Sequence, residues 1–164
     1  MGQDEHGHAR LSELLEKFST AMVVTRTADG ALRARPMTFA GERDGRLYFA
    51  TSADSPKVAE LESDPRIAIT MQDRFRYVSV SGRARVSDDR GLIETLWQES
   101  WRVWFPDGKG DPALRVLSVS PVAAEYWDQS GARGLKHFLE IVKAYATGTT
   151  PASGASSDDV KVHF

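Results

Sequence analysis

The stretch that decides the fold is Ala21-Met22-Val23-Val24-Thr25-Arg26-Thr27-Ala28-Asp29-Gly30-Ala31-Leu32-Arg33-Ala34-Arg35-Pro36-Met37-Thr38-Phe39-Ala40-Gly41-Glu42-Arg43-Asp44-Gly45-Arg46-Leu47-Tyr48-Phe49-Ala50-Thr51. Ala21 to Thr27 is rich in β-branched residues, and Ala28-Asp29-Gly30 supplies a hairpin turn. A second strand is expected from Ala31 to about Ala40. Glu42-Arg43-Asp44-Gly45 then closes another hairpin into Arg46–Thr51. Three strands in sequence with tight turns make an antiparallel meander. A parallel flavodoxin-like sheet needs a helix after nearly every strand, and these three have none.

Working outward, Leu11, Leu14, Leu15 and Phe18 recur at helical spacing, which predicts an amphipathic helix from about 10 to 18. Residues 1–9 read as a flexible N-terminal extension. Ser55-Pro56 is a helix start, with serine as N-cap and proline at the first helical position; Asp64-Pro65 ends that helix. Arg66–Met71 and Tyr77–Val86 are strand candidates, and Asp88 to about Trp97 a helix. An aromatic loop, Trp101-Arg102-Val103-Trp104-Phe105-Pro106-Asp107-Gly108, follows. Leu114–Val119 and Val122–Trp127 suggest two more strands, and Leu135, Phe138, Leu139 and Val142 a last helix. Six or seven short strands with two or three helices predict a mainly β fold, a small antiparallel barrel with helices over its openings. One domain is expected over residues 10–147. A C-terminal tail follows over 148–164, and its Gly148–Asp159 stretch is linker-like in composition.

Bulk properties narrow the function. A net charge of -2 gives no broad basic field, so nucleic acid is not an expected partner. The absence of cysteine rules out disulfides, thiolate metal sites and cysteine nucleophiles. His6 and His8 in a polar start do not make a metal site, and none is expected. No apolar run approaches the roughly 20 residues that span a bilayer. The acidic start Met1-Gly2-Gln3-Asp4-Glu5-His6 is unlike a secretory signal, so a cytoplasmic protein is expected. Gly-x-Ser-x-Gly, Gly-x-Gly-x-x-Gly and His-Glu-x-x-His are all missing, which leaves hydrolase, dinucleotide-fold and zinc-protease readings unsupported.

Two features point to an anion. Arg33 and Arg35 lie two apart on a strand and share a face. Their guanidiniums repel unless an anion or carboxylates sit between them, and phosphate accepts bidentate arginine bonds. Pro36 places that strand at an edge or bulge, and an exposed basic edge is the competing explanation. In Thr51-Ser52-Ala53-Asp54-Ser55-Pro56-Lys57, hydroxyls cluster where a strand ends and a helix begins. The free N–H groups and dipole of a helix start favour an anion. Lys57 is misplaced for the helix dipole but well placed for a bound phosphate. Asp54 opposes the site unless it points away.

The motifs Arg35-Pro36-Met37, Leu47-Tyr48-Phe49-Ala50-Thr51-Ser52 with Ser55 and Lys57, and Tyr77-Val78-Ser79-Val80-Ser81-Gly82 carry a family resemblance. So do Asp88-Asp89-Arg90, Trp104-Phe105-Pro106-Asp107-Gly108 with Asp111-Pro112, and Glu125-Tyr126-Trp127-Asp128. Over roughly Leu11 to Gly148 the chain resembles the FMN-binding split barrels related to pyridoxamine 5'-phosphate oxidase, most of all the general stress protein 26 branch. The resemblance implies an antiparallel six- to seven-stranded split β-barrel that binds FMN, with FAD also possible. Arg35, Ser55 and Lys57 match phosphate ligands, and Thr51 a hydroxyl donor beside the phosphate. Met37 matches a residue whose backbone meets the isoalloxazine edge. Pro36, Ala50 and Ser52, from the same motifs, complete the expected contacts. Trp127 matches an aromatic laid near the flavin by a second subunit, which implies a homodimer with sites at the interface. Trp101 and Trp104 are expected to line the site.

The chain departs from the oxidases in two places. Tyr77 stands where they place a glutamine on the flavin ring. Their Arg-x-Leu-His-x-Arg substrate element reads Arg133-Gly134-Leu135-Lys136-His137, with only its first position intact. Oxidation of pyridoxamine 5'-phosphate is therefore not expected. Two functions follow from the resemblance: a flavin-dependent oxidoreductase using NAD(P)H or another donor, or a non-catalytic flavin-binding stress protein. A barrel holding haem or a deazaflavin is a third, with His137 the one candidate axial ligand.

Overall fold

In the computed structural model, which describes residues 2–130 and 160–164 (backbone only for 2–5 and 160), the expected meander forms. Strand β1 (Thr20–Arg26) turns Ala21, Val23 and Thr25 inward and pairs with β2 (Leu32–Arg43), Thr20 opposite Thr38 through Arg26 opposite Leu32. Their turn is closed by the Gly30 N–H donating to Thr27 O at 2.9 Å. β2 then pairs with β3 (Arg46–Ser52) across Asp44 and Gly45, which lie at φ 51° and 72°. Two consecutive left-handed residues match the twist of a two-residue hairpin. Pairing with β3 begins only at Phe39, so Pro36 stands on an open edge, as its missing N–H requires.

Helix α2 (Pro56–Ser63) leads into β4 (Arg66–Gln72) and β5 (Arg76–Ser87). Helix α3 (Arg90–Leu96) is capped by Asp89, whose Oδ1 accepts from the Leu92 N–H at 3.1 Å. The aromatic segment forms two short 3-10 turns, Glu99–Val103 and Gly108–Gly110. Strand β6 (Leu114–Asp128) follows, and β7 (Val160–His163) comes last.

The sheet order is β3-β2-β1-β4-β5-β6-β7, and β3 also pairs with β6, Leu47 opposite Val119 through Ser52 opposite Leu114. Six antiparallel strands thus close into a barrel, with the edge of β2 ahead of Phe39 left open. Val23, Ile69, Val80, Ala124 and Val162 are successive register partners across five strands, and all are buried. Leu11, Leu14 and Leu15 join the same core. A second cluster, including Tyr48, Ile93, Leu96, Trp101, Phe105 and Leu114, packs separately. β3 serves both, Leu47 and Phe49 to the first and Tyr48 to the second.

Two expectations need correcting, and the tail gains an element. The first helix, α1, spans Gly2–Leu15 rather than starting near residue 10, so residues 2–9 are helical. The reason is long-range. A Cβ on Gly7 would lie 3.2 Å from Val162 Cγ2, and the His8 ring meets Phe164 edge-on at 4.5 Å, so β7 supplies the surface for the early turns. Likewise 160–163 of the tail are a sheet strand, on Ala123–Tyr126 of β6. Finally, the two strands expected between 114 and 127 are one strand of 15 residues. Its two halves change partner, from β3 to β7, around Pro121, while β5 pairs with both and holds them together. The expected last helix (Leu135 to Val142), Arg133–His137 and Gly148–Asp159 lie outside the described residues. No helix among the described residues is long and apolar enough to cross a membrane.

The β5 register against β6 shifts between Ser81 and Gly82. A Cβ on Gly82 would lie 2.5 Å from the Ser120 carbonyl oxygen, a backbone atom that cannot swing aside. Gly82→Ala is expected to cost roughly 1–3 kcal/mol, as overpacking does. Urea unfolding checks this, and an unchanged midpoint would contradict the close approach.

Candidate functional site

The end of β3, the start of α2 and the first 3-10 turn surround a cleft of about 370 Å³. β3 delivers Ala50, Thr51 and Ser52 to one wall, and the turn after it delivers Ser55 and Lys57. The turn is tied back to the residue preceding β6 by the Ala53 N–H donating to Ala113 O at 2.7 Å. The open edge of β2 contributes Pro36, Met37 and Thr38, and the opposite wall is Trp101, Trp104 and Phe105. Trp101 is 2% exposed and Trp104 74%, so one forms a fixed wall and the other a rim.

The polar end is organised by Lys57. Its Nζ donates to Thr51 Oγ1 at 3.0 Å and Ser55 Oγ at 2.5 Å. Thr51 is buried at the end of its strand. Ser55 is the N-cap residue, yet its hydroxyl makes no capping bond to the helix. Lys57 makes no ion pair among the described residues. Burial pushes its pKa below the ordinary value, the Arg35 charge adds to that, and Glu60 offsets part. A half-buried ammonium held only by hydroxyls has strong capacity for an anion. Asp54 is exposed and does not line the cleft.

Arg33 and Arg35 do share a face, and the group between them is a carboxylate. Glu60 of α2 accepts from Arg35 Nη2 at 2.7 and 2.8 Å and lies 3.5 Å from Arg33 Nη1. Thr25 Oγ1 donates to Glu60 at 2.6 Å and accepts from Arg35 Nη1 at 2.6 Å. Burial raises the Glu60 pKa, but the Thr25 and Arg35 hydrogen bonds and both arginine charges outweigh it and hold it below its ordinary value. Arg35 thus stands behind the cleft rather than on its wall, near enough for its charge to act on Lys57. Sequence reasoning missed Glu60. Its signal was present, since it falls one helical turn after Lys57 and faces the same side.

Of the remaining expected residues, Tyr77 and Trp127 are register partners on β5 and β6 and do not line this cleft within one chain. Tyr77 is 40% exposed. Pro36, Met37, Ala50, Thr51, Ser52, Ser55, Lys57 and Trp104 are brought together, as is Trp101. Thr38 and Phe105 join them unforeseen. Among the described residues, Lys57 is the only titratable side chain on the cleft wall.

Residues 6–152 match the family model described as pyridoxamine 5'-phosphate oxidase like. The chain belongs to this family. General stress protein 26 of Bacillus subtilis is 34% identical over 98 residues, covering 56% of this chain and 68% of that protein. Protein bli-3 of Neurospora crassa is 31% identical over 129 residues, and the match spans 71% of this chain but 62% of the relative. Among solved structures, the general stress FMN/FAD binding protein of Xanthomonas citri aligns with a TM-score of 0.67 at 27% identity, covering 78% of this chain and 92% of that one. A general stress protein 26 homologue from Jannaschia gives a TM-score of 0.73 at 23% identity over 98% of this chain and 99% of that one, a likeness of fold. The chain is thus a general stress protein 26-like member of the pyridoxamine 5'-phosphate oxidase-like family, with the split-barrel fold.

The Glu60 cluster gives a pH-dependent test of this geometry. Its folded pKa lies below its unfolded one, so its stabilisation is complete above about 4.5 and fades as pH falls through the lower folded value. At pH 7, Glu60→Gln is expected to cost roughly 1.5–3 kcal/mol, the range for hydrogen bonds to charged groups. The gap between wild type and variant, followed by urea unfolding, should narrow below pH 4.5. A gap that stays constant down to pH 3 would show that Glu60 is not ionised in this cluster.

Proposed function

We propose that this protein binds FMN, with the phosphate at Lys57, Thr51 and Ser55 and the ring between Met37 and the aromatic wall. The observation that carries the reading is the half-buried Lys57 ammonium, whose bonding partners among the described residues are two hydroxyls and no carboxylate. A phosphate monoester offers the counter-charge and the acceptors those donors lack. Arg35 adds positive charge from behind, held in place by Glu60. The Xanthomonas citri relative, described as FMN/FAD binding, supports a flavin over other phosphate compounds. FAD fits the same chemistry where the cleft stays open beyond the phosphate.

The protein is proposed to act as a homodimer in the cytoplasm, with Tyr77 and Trp127 of a second copy completing each site. The sheet exterior supports this. Met22, Thr70 and Ser79 form one outward register row and Val24, Ala68 and Ser81 another, and none carries a charge. Met22 is 40% exposed, an apolar side chain on that face. Neutral faces of this kind suit a symmetric interface. Light scattering should give the mass of a dimer, and Met22→Arg should shift it towards monomer. A monomeric wild type that still binds FMN stoichiometrically would overturn the shared site.

A bound flavin would supply the redox chemistry, accepting a hydride from NAD(P)H or a similar donor and passing the electrons to a small substrate. The chain's own share is binding, orientation and exclusion of water. With Lys57 the one titratable group on the wall among the described residues, the cleft offers little acid–base assistance. That favours either simple hydride transfer or a non-catalytic flavin binder as the second reading.

The visible spectrum of the purified protein and an FMN titration test the binding. Lys57→Ala is expected to weaken FMN by roughly 1.5–3 kcal/mol, about 10- to 150-fold. Affinity should fall as pH rises towards the lowered Lys57 pKa, and Lys57→Arg, which stays charged, should flatten that fall. Equal affinity in wild type and Lys57→Ala would place the phosphate elsewhere. Stopped-flow mixing with NADH and NADPH then separates enzyme from binder, because a binder leaves the flavin oxidised.

A further inference from the structure

The positive charge that Arg35 places behind the cleft is met at contact distance by the negative charge of Glu60. Both Glu60 oxygens accept from Arg35 Nη2, at 2.7 and 2.8 Å, and the Glu60 side chain is only 9% exposed. A carboxylate taken out of water is costly unless paired, and this one stands beside a site proposed for an anion. Anchoring Arg35 does not by itself call for a charge there, because Thr25 Oγ1 already accepts from Arg35 Nη1 at 2.6 Å. Lys57 and Glu60 lie three apart on α2 and so share a side. Lys57 feels both members of the pair: the Arg35 charge disfavours its protonated form and the Glu60 charge favours it. The other charges nearby count for less. Arg33 comes within 3.5 Å of Glu60 but is 56% exposed, where water and salt screen it. Asp64, just past the end of α2, is taken by Arg66 and Arg26 at 2.6 and 3.7 Å.

We infer that Glu60 is a specificity-determining residue: by cancelling Arg35 it leaves the phosphate end with the charge of Lys57, so that a singly charged phosphate competes there with a dianion. The inference rests on the flavin reading above and deepens it by naming which flavin phosphates the cleft takes. A phosphate monoester such as FMN carries about -1.5 to -2 at pH 7. Each phosphate of the FAD pyrophosphate is a diester with a single negative charge. Two uncompensated cations would favour the monoester, because Coulomb attraction scales with the charge of the ligand. One cation narrows that difference and admits FAD beside FMN. Arg35 stays where Glu60 and Thr25 hold it, behind the wall, and acts on the ligand through space.

The test is a charge cycle over Glu60→Gln, Arg35→Gln and the double variant at pH 7, with FMN, FAD and riboflavin as probes. Glutamine keeps the size of glutamate and drops its charge. Glu60→Gln should bind FMN at least about threefold more tightly than wild type, gain less for FAD and leave riboflavin unchanged. It should do so while unfolding at lower urea, so that affinity and stability move in opposite directions. A Glu60 that merely braced α2 would lower both. Arg35→Gln should weaken FMN, since Glu60 then stands unopposed, and the double variant should return to within about twofold of wild type. Should Glu60→Gln fold poorly, Arg35→Gln and the double variant carry the same comparison: removing Glu60 from Arg35→Gln should restore FMN affinity by at least about threefold. FMN binding by Glu60→Gln no tighter than wild type, an unchanged FMN-to-FAD ratio, or a double variant as weak as Arg35→Gln would overturn the inference and leave the flavin reading standing. A wild type that takes up no flavin would overturn both.

Discussion

Pairing of β3 with β6 is the constraint on which the remaining structure depends. It joins Leu47–Ser52 to Leu114–Val119, segments more than 60 residues apart in the chain, and converts a meander into a closed barrel. The same pairing brings the residues that follow β3 beside those that precede β6. The first group begins α2 with Ser55 and Lys57; the second holds the 3-10 turns with Trp101 and Trp104. The cleft is the gap between these two segments. Closure of the core and assembly of the site are therefore one event, and loss of the β3–β6 ladder would separate lysine from tryptophan as surely as it would open the barrel.

Burial of β3 on both faces shows how the two cores are coupled. Phe49 faces the barrel interior while Tyr48 faces the cluster that fixes Trp101. Packing at protein-interior density transmits displacement, so the position of the aromatic wall is set partly by residues on the far side of the strand. The Glu60 cluster plays the matching role at the polar end. It neutralises and orients Arg35, leaving Lys57 as the group that faces the cleft.

How much of this was legible in the sequence follows from the range of the interactions. The two hairpins were readable because Gly30 and Asp44-Gly45 encode their turns locally. The Ser55-Pro56 start of α2 and the hydroxyls around Lys57 were readable for the same reason, as was the shared face of Arg33 and Arg35. What the two arginines face was not, because Glu60 meets them only once α2 has folded back over β1 and β2. The helical start before residue 10 and the strand at 160–163 support one another from opposite ends of the sequence, and neither has enough apolar periodicity to declare itself alone. Leu114–Val119 and Val122–Trp127 read as two strands because the segment between them holds Pro121. Pairing with β5 runs through both, with a register shift at Gly82, and joins them. Tyr77 and Trp127 came from resemblance, and neither lines the cleft within one chain.

The cluster around the first turn of α2 also shapes the field of the whole molecule. Among the described residues, Arg33, Arg35 and Lys57 gather around Glu60, so positive charge exceeds negative in this cluster within a chain whose net charge is -2. The remainder of the surface is correspondingly more acidic than the total implies. An approaching anion meets a local excess of positive charge at this mouth, which favours encounters there. Because Arg33 is largely exposed while Arg35 and Lys57 are not, added salt would screen the long-range guidance well before it weakened the contacts made on arrival.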